Sequence, residues 1–303
     1  MPKSDNQQQS SSIHLYHYTR FANMLDIIKS EQIWSTDIRF LNDQTEYHGS
    51  AELFREMAYT RMAGTFISSK RVSPVEFGNR CRSYLFQLMR ELQDSESLAV
   101  NTFVVSFSEH SDDLSQWRAY ARPAGVAIGF SGKSLRNIAL SQGFRLVKCI
   151  YDDDVKNKML RSLLESKIDL IGKMPRKVSE RDEYMNNVLN LTLIEFQYMA
   201  AIFKHPAFRS EAEWRLVSDP LANEKSANEL TFHSSGSTLI PHAIVRFMNV
   251  PTDIDVASAA PTRVIVGPSP YPKLNRASVA SALRRFGFDE TKVYTSVAPF
   301  RDL

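Results

Sequence analysis

Phe21, Met24, Leu25 and Ile28 recur at i, i+3, i+4 and i+7, an apolar stripe that predicts a short amphipathic helix. Ahead of it, Ile13 to Tyr18 reads as an opening strand that ends in the polar turn Thr19-Arg20, and Glu31 to Ser35 reads as a brief extended piece carrying Trp34. Asp43 is placed to cap a helix running to Met57, with Glu46 as its third helical residue in the capping-box arrangement. A second long helix is predicted over about Pro74 to Leu92, opened by its proline. Strand Thr102 to Phe107, short helix Asp112 to Tyr120 and buried strand Ala124 to Phe130 come next. Gly125 and Gly129 in that strand imply close backbone approach. Helix Lys133 to Leu140, strand Phe144 to Tyr151 and helix Val155 to Ile171 lead to the longest helical candidate, Ser179 to Phe203, apolar on most sides after Val188. Strands are then expected at Glu213 to Val217, Glu229 to His233, Ala243 to Val250, Arg263 to Val266 and Lys292 to Ser296, with a helix at Leu274 to Phe286.

Mixed strands and helices without internal repeat predict an α+β fold, a mixed or antiparallel β-sheet core flanked by helices. One intimate domain over 13–303 is expected, with helical insertions near 43–93 and 152–204 and a break at Gly172 to Ser179 that could serve as a hinge. The Ser/Gln-rich start, 1–12, has no apolar stretch of its own and reads as a disordered tail rather than a signal peptide. The 303 residues are 43% hydrophobic and 23% charged, with a net charge of +3, a globular composition. Lys and Arg are spread along the chain, so charge makes no case for nucleic acid. No uninterrupted apolar run is long enough to span a membrane, and Cys81 and Cys149 form no zinc or disulfide pattern, so a reducing cytoplasm is the expected setting.

Functional side chains concentrate in three places. Between Lys204 and Arg215 the chain packs Glu211, Glu213, Arg209, Arg215 and Trp214 just before an apolar strand. Period-two alternation puts Glu213, Arg215 and Val217 on one face and Trp214 and Leu216 on the other, with Glu211 extending the first row. A carboxylate beside a guanidinium stays ionised and fixed in direction, suited to gripping a hydroxyl or steadying a developing positive charge, although structural ion pairs look the same in sequence. Leu15-Tyr16-His17-Tyr18-Thr19 is the second concentration; in a strand His14 and His17 point to opposite sides, which argues against joint metal ligation. Ser106, Ser108 and Glu109 at a strand tip, followed by Asp112, Asp113, Trp117, Arg118 and Tyr120, form the third. On a helix Asp113, Trp117 and Tyr120 share a face that could stack a flat ring, though such stripes also build cores. The hydrolase elbow G-x-S-x-G, the phosphate loop G-x-x-x-x-G-K-[ST], H-E-x-x-H and the dinucleotide fingerprint G-x-G-x-x-G are absent.

As an ordered set, Leu15-Tyr16-His17-Tyr18-Thr19, Trp34-Ser35, Phe40-Leu41-Asn42-Asp43 with Glu46, Ser106-Phe107-Ser108-Glu109, Trp117 with Tyr120, Gly125 with Ile128-Gly129-Phe130, Lys204 with Phe208, and Glu211, Glu213 and Arg215 resemble a bacterial family of unknown function, DUF2971. The resemblance runs from about residue 13 to the end; Gln44 and Gln116 stand where the pattern has proline and methionine. A more distant similarity is to the His-Tyr-Glu layout of ADP-ribosyltransferases, and it implies the split-sheet arrangement of that fold. It implies that His17 bonds the nicotinamide-side ribose of NAD, that Tyr120 or Trp117 stacks on the nicotinamide, and that Glu213 is the catalytic glutamate, oriented by Arg215. Lys204 or Arg118 would meet the pyrophosphate, and Tyr18, Thr19, Asn42, Ser106 and Glu211 would complete the substrate contacts. Tyr18 departs from the pattern, since a glycine usually follows that histidine. Cleaving the nicotinamide-ribose bond passes through an oxocarbenium-like state that a fixed carboxylate stabilises, and no metal is required.

Three functional readings follow. The first is an NAD-using transferase or glycohydrolase, acting as a toxin or phage-defence effector, with NAD as substrate and a protein or nucleic-acid acceptor that the sequence does not identify. The second is a non-catalytic nucleotide- or protein-binding module built from the same polar set. The third is a metal-dependent nuclease using Asp112, Asp113, Glu211 and Glu213.

Overall fold

The computed structural model describes residues 13–41, 44–66, 73–93, 102–175, 177–219, 230–249 and 258–299. The tail at 1–12, Asn42 and the expected Asp43 cap lie outside these residues. Two compact units emerge: the first takes in Met1–Asp37, Phe103–Cys149 and Ala207–Leu303, the second Ile38–Thr102 and Ile150–Pro206. The two helical insertions expected from the sequence thus gather into the second unit.

In the first unit the strands are β1 (His14–Arg20), β2 (Gln32–Asp37), β3 (Phe103–Ser108), β4 (Gly125–Ser131), β5 (Phe144–Lys148), β6 (Glu213–Ser218), β7 (Leu230–Ser235), β8 (Thr238–Arg246), β9 (Arg263–Val266) and β10 (Lys292–Thr295). The principal order is β10-β9-β4-β1-β3-β2-β8-β7, antiparallel except for β10 beside β9, with β6 on β3 and β5 on β6. A strand has two edges, so β3 cannot pair fully with three neighbours. It gives one edge wholly to β6, from Val104↔Val217 to Ser108↔Glu213. The other edge is divided between β1, at Tyr16↔Ser108, and β2, at Thr36↔Val104 and Asp37↔Phe103. Between those two pairings β1 and β3 separate, and the sheet opens along a seam.

The α-helices among the described residues are α1 (Phe21–Ser30), α2 (Gln44–Met62), α3 (Pro74–Gln93), α4 (Leu114–Tyr120), α5 (Gly132–Ser141), α6 (Asp153–Ile171), α7 (Arg181–Ala200) and α8 (Pro272–Arg285). Within the first unit α1, α5 and α8 bury Met24, Ile28, Leu135, Ile138, Val279 and Leu283 against Leu15, Phe107, Phe130, Trp214 and Val264 of the sheet. On the other face Trp117 and Ala121, from α4 and its end, pack with Tyr16, Tyr18, Ala127 and Ile265. The second unit is helical: α2, α3, α6 and α7 bury Phe54, Leu85, Leu88, Leu160, Leu164 and Val188, Phe54 stacks on Phe196 at 5.3 Å, and the Tyr84 hydroxyl meets that of Thr192 at 2.8 Å.

Element ends differ from the sequence expectation where polar side chains intervene. The strand expected to reach Tyr151 stops at Lys148, because Asp152 caps α6 by accepting from the backbone N–H groups of Asp154 and Val155. The helix expected from Asp112 begins at Leu114, with Asp113 capping the N–H groups of Ser115 and Gln116. The strand placed at Ala243 to Val250 is β8, displaced toward the N-terminus to close a hairpin with β7. No helix among the described residues is long and apolar enough to cross a membrane.

Candidate functional site

The three concentrations of functional side chains meet on adjacent strands of the first unit. Tyr16 of β1, Ser108 of β3 and Glu213 of β6 form one row across the sheet, and Ser106 lies opposite Arg215 in the next. Cross-strand partners share a face. Tyr16, Ser106, Ser108, Glu213 and Arg215 therefore stand on the α4 side, while Leu15, Phe107 and Trp214 stand on the other.

Glu213 and Arg215 are 5% and 4% exposed, and the guanidinium donates from Nε to Glu213 Oε1 at 2.7 Å. Removing two ions from water costs several kcal/mol each, so an arrangement of this kind is either repaid by close pairing or kept for a purpose. Just ahead of the pair the backbone is strained: Ala212 has φ 43°, a left-handed conformation that alanine adopts at a cost of about 1 kcal/mol or more. That turn corrects the sequence expectation for Glu211. It closes a 3-10 turn, Pro206–Glu211, and does not continue the Glu213 row; its carbonyl accepts from the Ser108 hydroxyl at 2.7 Å.

His17 occupies the seam. Its Nδ1 lies 3.0 Å from the Ser106 carbonyl, on the β3 edge that β1 leaves unpaired, and its ring rests 5.7 Å from that of Phe107. A carbonyl can only accept, so Nδ1 carries the proton and the neutral ring keeps Nε2 as an acceptor. Burial lowers its pKa, against the raising effect of that hydrogen bond. Alternation along β1 places His17 on the Phe107 side of the sheet, opposite to Glu213, and β3 lies between their two strands, so they share neither a face nor an edge.

Other expected contacts take structural roles. The Tyr18 hydroxyl donates to the His110 carbonyl at 2.7 Å and accepts from the Asp113 N–H at 3.1 Å, and burial raises its pKa. Trp117 is 4% exposed, packs edge-on to Tyr18 at 4.6 Å and donates its indole N–H to Asp112 at 2.7 Å. Of the two rings proposed to stack on a ligand, Tyr120 is the one with more surface showing. Thr19 is buried beside Gly125, where an added Cβ would come within 2.1 Å of its carbonyl oxygen. Lys204 is buried in the second unit, where its backbone N–H donates to the Ile150 carbonyl. Asn42 lies outside the described residues.

The carboxylates proposed for a nuclease are engaged separately. Asp113 caps α4, and Asp112 accepts from Trp117, from the Ser296 hydroxyl at 2.5 Å and from the Val297 N–H at 2.7 Å. Among the described residues no three His, Cys, Asp or Glu side chains are grouped to hold a metal ion.

One cluster escaped the sequence reading. Glu109 accepts from Lys148 at 2.6 Å and from the Trp214 indole at 2.7 Å. Burial pushes its carboxyl up, but these two bonds outweigh it and hold the pKa below the ordinary range. The three residues lie far apart in sequence and meet only because β5, β6 and the tip of β3 are neighbours.

The class of fold is thus a mostly antiparallel open sheet flanked by helices. Residues 116–216, from α4 into β6, match a family model described as "Protein of unknown function (DUF2971)", which supports that resemblance over the stretch containing Trp117, Tyr120, Glu211, Glu213 and Arg215. No curated protein and no solved structure matches the chain.

Proposed function

We propose that the chain consumes NAD, as an ADP-ribosyltransferase or NAD glycohydrolase, with Glu213, at the start of β6, as the catalytic carboxylate. The observation that carries this reading is the buried Glu213–Arg215 pair set immediately after a strained Ala212. Strain and buried charge in one place are costs that concentrate at functional sites. In this reading Arg215 holds Glu213 in one orientation, and the carboxylate faces the positive charge that builds on the ribose as nicotinamide leaves. His17, fixed from Nδ1, offers Nε2 to a ribose hydroxyl, and Tyr120 supplies the stacking surface. Ser106, Tyr18, Thr19 and Trp117 hold these groups in place more than they touch substrate. A toxin or phage-defence role belongs to the same proposal and predicts growth arrest on expression that Glu213→Gln relieves.

A second reading has an observation of its own. Glu213 is 5% exposed, and His17 approaches from the opposite side of the sheet, as in a site that organises a fold or recognises a ligand without reacting with it. Nicotinamide release separates the two. Purified chain incubated with NAD and a cell extract as acceptor releases nicotinamide in the first reading, and Glu213→Gln reduces the rate by about a hundred-fold or more. Because that variant also disturbs a buried pair, Tyr120→Ala is assayed beside it; loss of turnover in both, with both folded by circular dichroism, supports catalysis. Absence of release by the wild type leaves the binding module.

A further inference from the structure

We infer that the cleft beside α4 binds a small phosphate-bearing molecule through Arg20, Arg118 and Arg122. This cleft, about 810 Å³, lies within the first unit, and its lining includes all three arginines together with Trp117, Gly125 and Gly267. That volume suits a nucleotide-sized ligand.

Among the described residues no aspartate or glutamate lines it. The three side chains are exposed, and among the described residues none has a hydrogen bond or ion pair to its guanidinium. The chain carries 37 Lys and Arg against 34 Asp and Glu, so three cations converging without one acid is not the average surface. Asp112, which holds the Trp117 ring of the cleft wall, is turned to other work: it accepts the bonds from Trp117, Ser296 and Val297. The end of a helix favours a cation and so accounts for Arg118 alone. It does not account for Arg122, which lies past the end of the helix, or for Arg20, which arrives from β1.

The walls are rigid. A Cβ on Gly267 would come within 2.8 Å of the Trp117 ring, and one on Gly125 within 2.1 Å of the Thr19 carbonyl, so backbone and ring meet with no room between them. Pro123, Pro268, Pro270 and Pro299 add apolar surface with little conformational freedom. Guanidiniums on a firm apolar cleft fit an anion joined to an organic group, since the planar fork pairs phosphate oxygens two at a time.

The site is separate from the Glu213 chemistry and does not rest on it. Isothermal titration of the full chain with ADP, and separately with inorganic pyrophosphate, tests it at low and at physiological salt. ADP is expected to bind more tightly than pyrophosphate, with affinity falling as salt rises. Each of Arg20→Gln, Arg118→Gln and Arg122→Gln should weaken ADP by about ten-fold, and the triple variant should bind none at millimolar concentration. Arg284→Gln, at the end of α8, should leave ADP affinity unchanged. No ADP binding by the wild type, unchanged affinity in the folded triple variant, or displacement of ADP by a single-stranded oligonucleotide at equal phosphate concentration overturns the inference.

Discussion

At the start of β6 a carboxylate and a guanidinium are buried against each other; around the cleft beside α4 three guanidiniums stand exposed with no acid among the described residues of the lining. Both groups are charged and both belong to the first unit, yet they are built for opposite demands. A buried pair must satisfy itself inside the fold, so its energy goes into rigidity. An exposed cluster of one sign is solvated when empty and gains its partner from outside, so its energy is held for a ligand. Charge alone therefore does not mark a binding site; where the counter-charge comes from does.

The contrast can be broken first on stability. Glu213→Ala should cost about 3–5 kcal/mol in urea denaturation, because it leaves Arg215 buried without its counter-ion. A cost below about 1 kcal/mol would mean that the pair is not organising the sheet. Next in size, Gly125→Ala should lose about 1–3 kcal/mol or more, since its methyl would be driven into the Thr19 carbonyl. Asp112→Ala should lose about 1–3 kcal/mol by stranding the Trp117 indole N–H, and faster amide exchange at Ser296 to Ala298 should accompany it. At the other end of the scale, replacing the cleft arginines by glutamine should each change stability by no more than about 0.5 kcal/mol.

A pH series sharpens the seam between β1 and β3. His17 has a folded pKa below its unfolded value of 6.5, so as pH falls through 6.5 the unfolded chain takes up a proton before the folded chain does. Stability present above that pH is lost below it, down to the folded pKa. His14 and His242 are lowered as well, in both cases chiefly by burial, so the diagnostic quantity is a difference. His17→Gln should flatten part of the decline between pH 7.5 and 5, and an unchanged slope would place the ring in contact with solvent.

Sequence reading was most secure where a single element carried the signal. The α1 stripe and the alternation in β6 both depend on neighbours within a few residues. It was weaker where tertiary pairing intervened. Nothing local says that β3 divides one edge between β1 and β2, and the division is what leaves the Ser106 carbonyl to His17. Likewise Ala212 resembled an ordinary strand residue, and its left-handed turn is what detaches Glu211 from Glu213. Arg20 and Arg118 lie about a hundred positions apart and join one cleft only because α4 packs over β1, so their grouping had no signature in the chain.

Nicotinamide release from NAD by the purified wild-type chain, with a cell extract as acceptor and Glu213→Gln alongside, tests most directly whether Glu213 belongs to a reaction centre. Release by the wild type, reduced about a hundred-fold or more in a folded Glu213→Gln protein, is the expected result. No release by the wild type, or equal release by the variant, would contradict it.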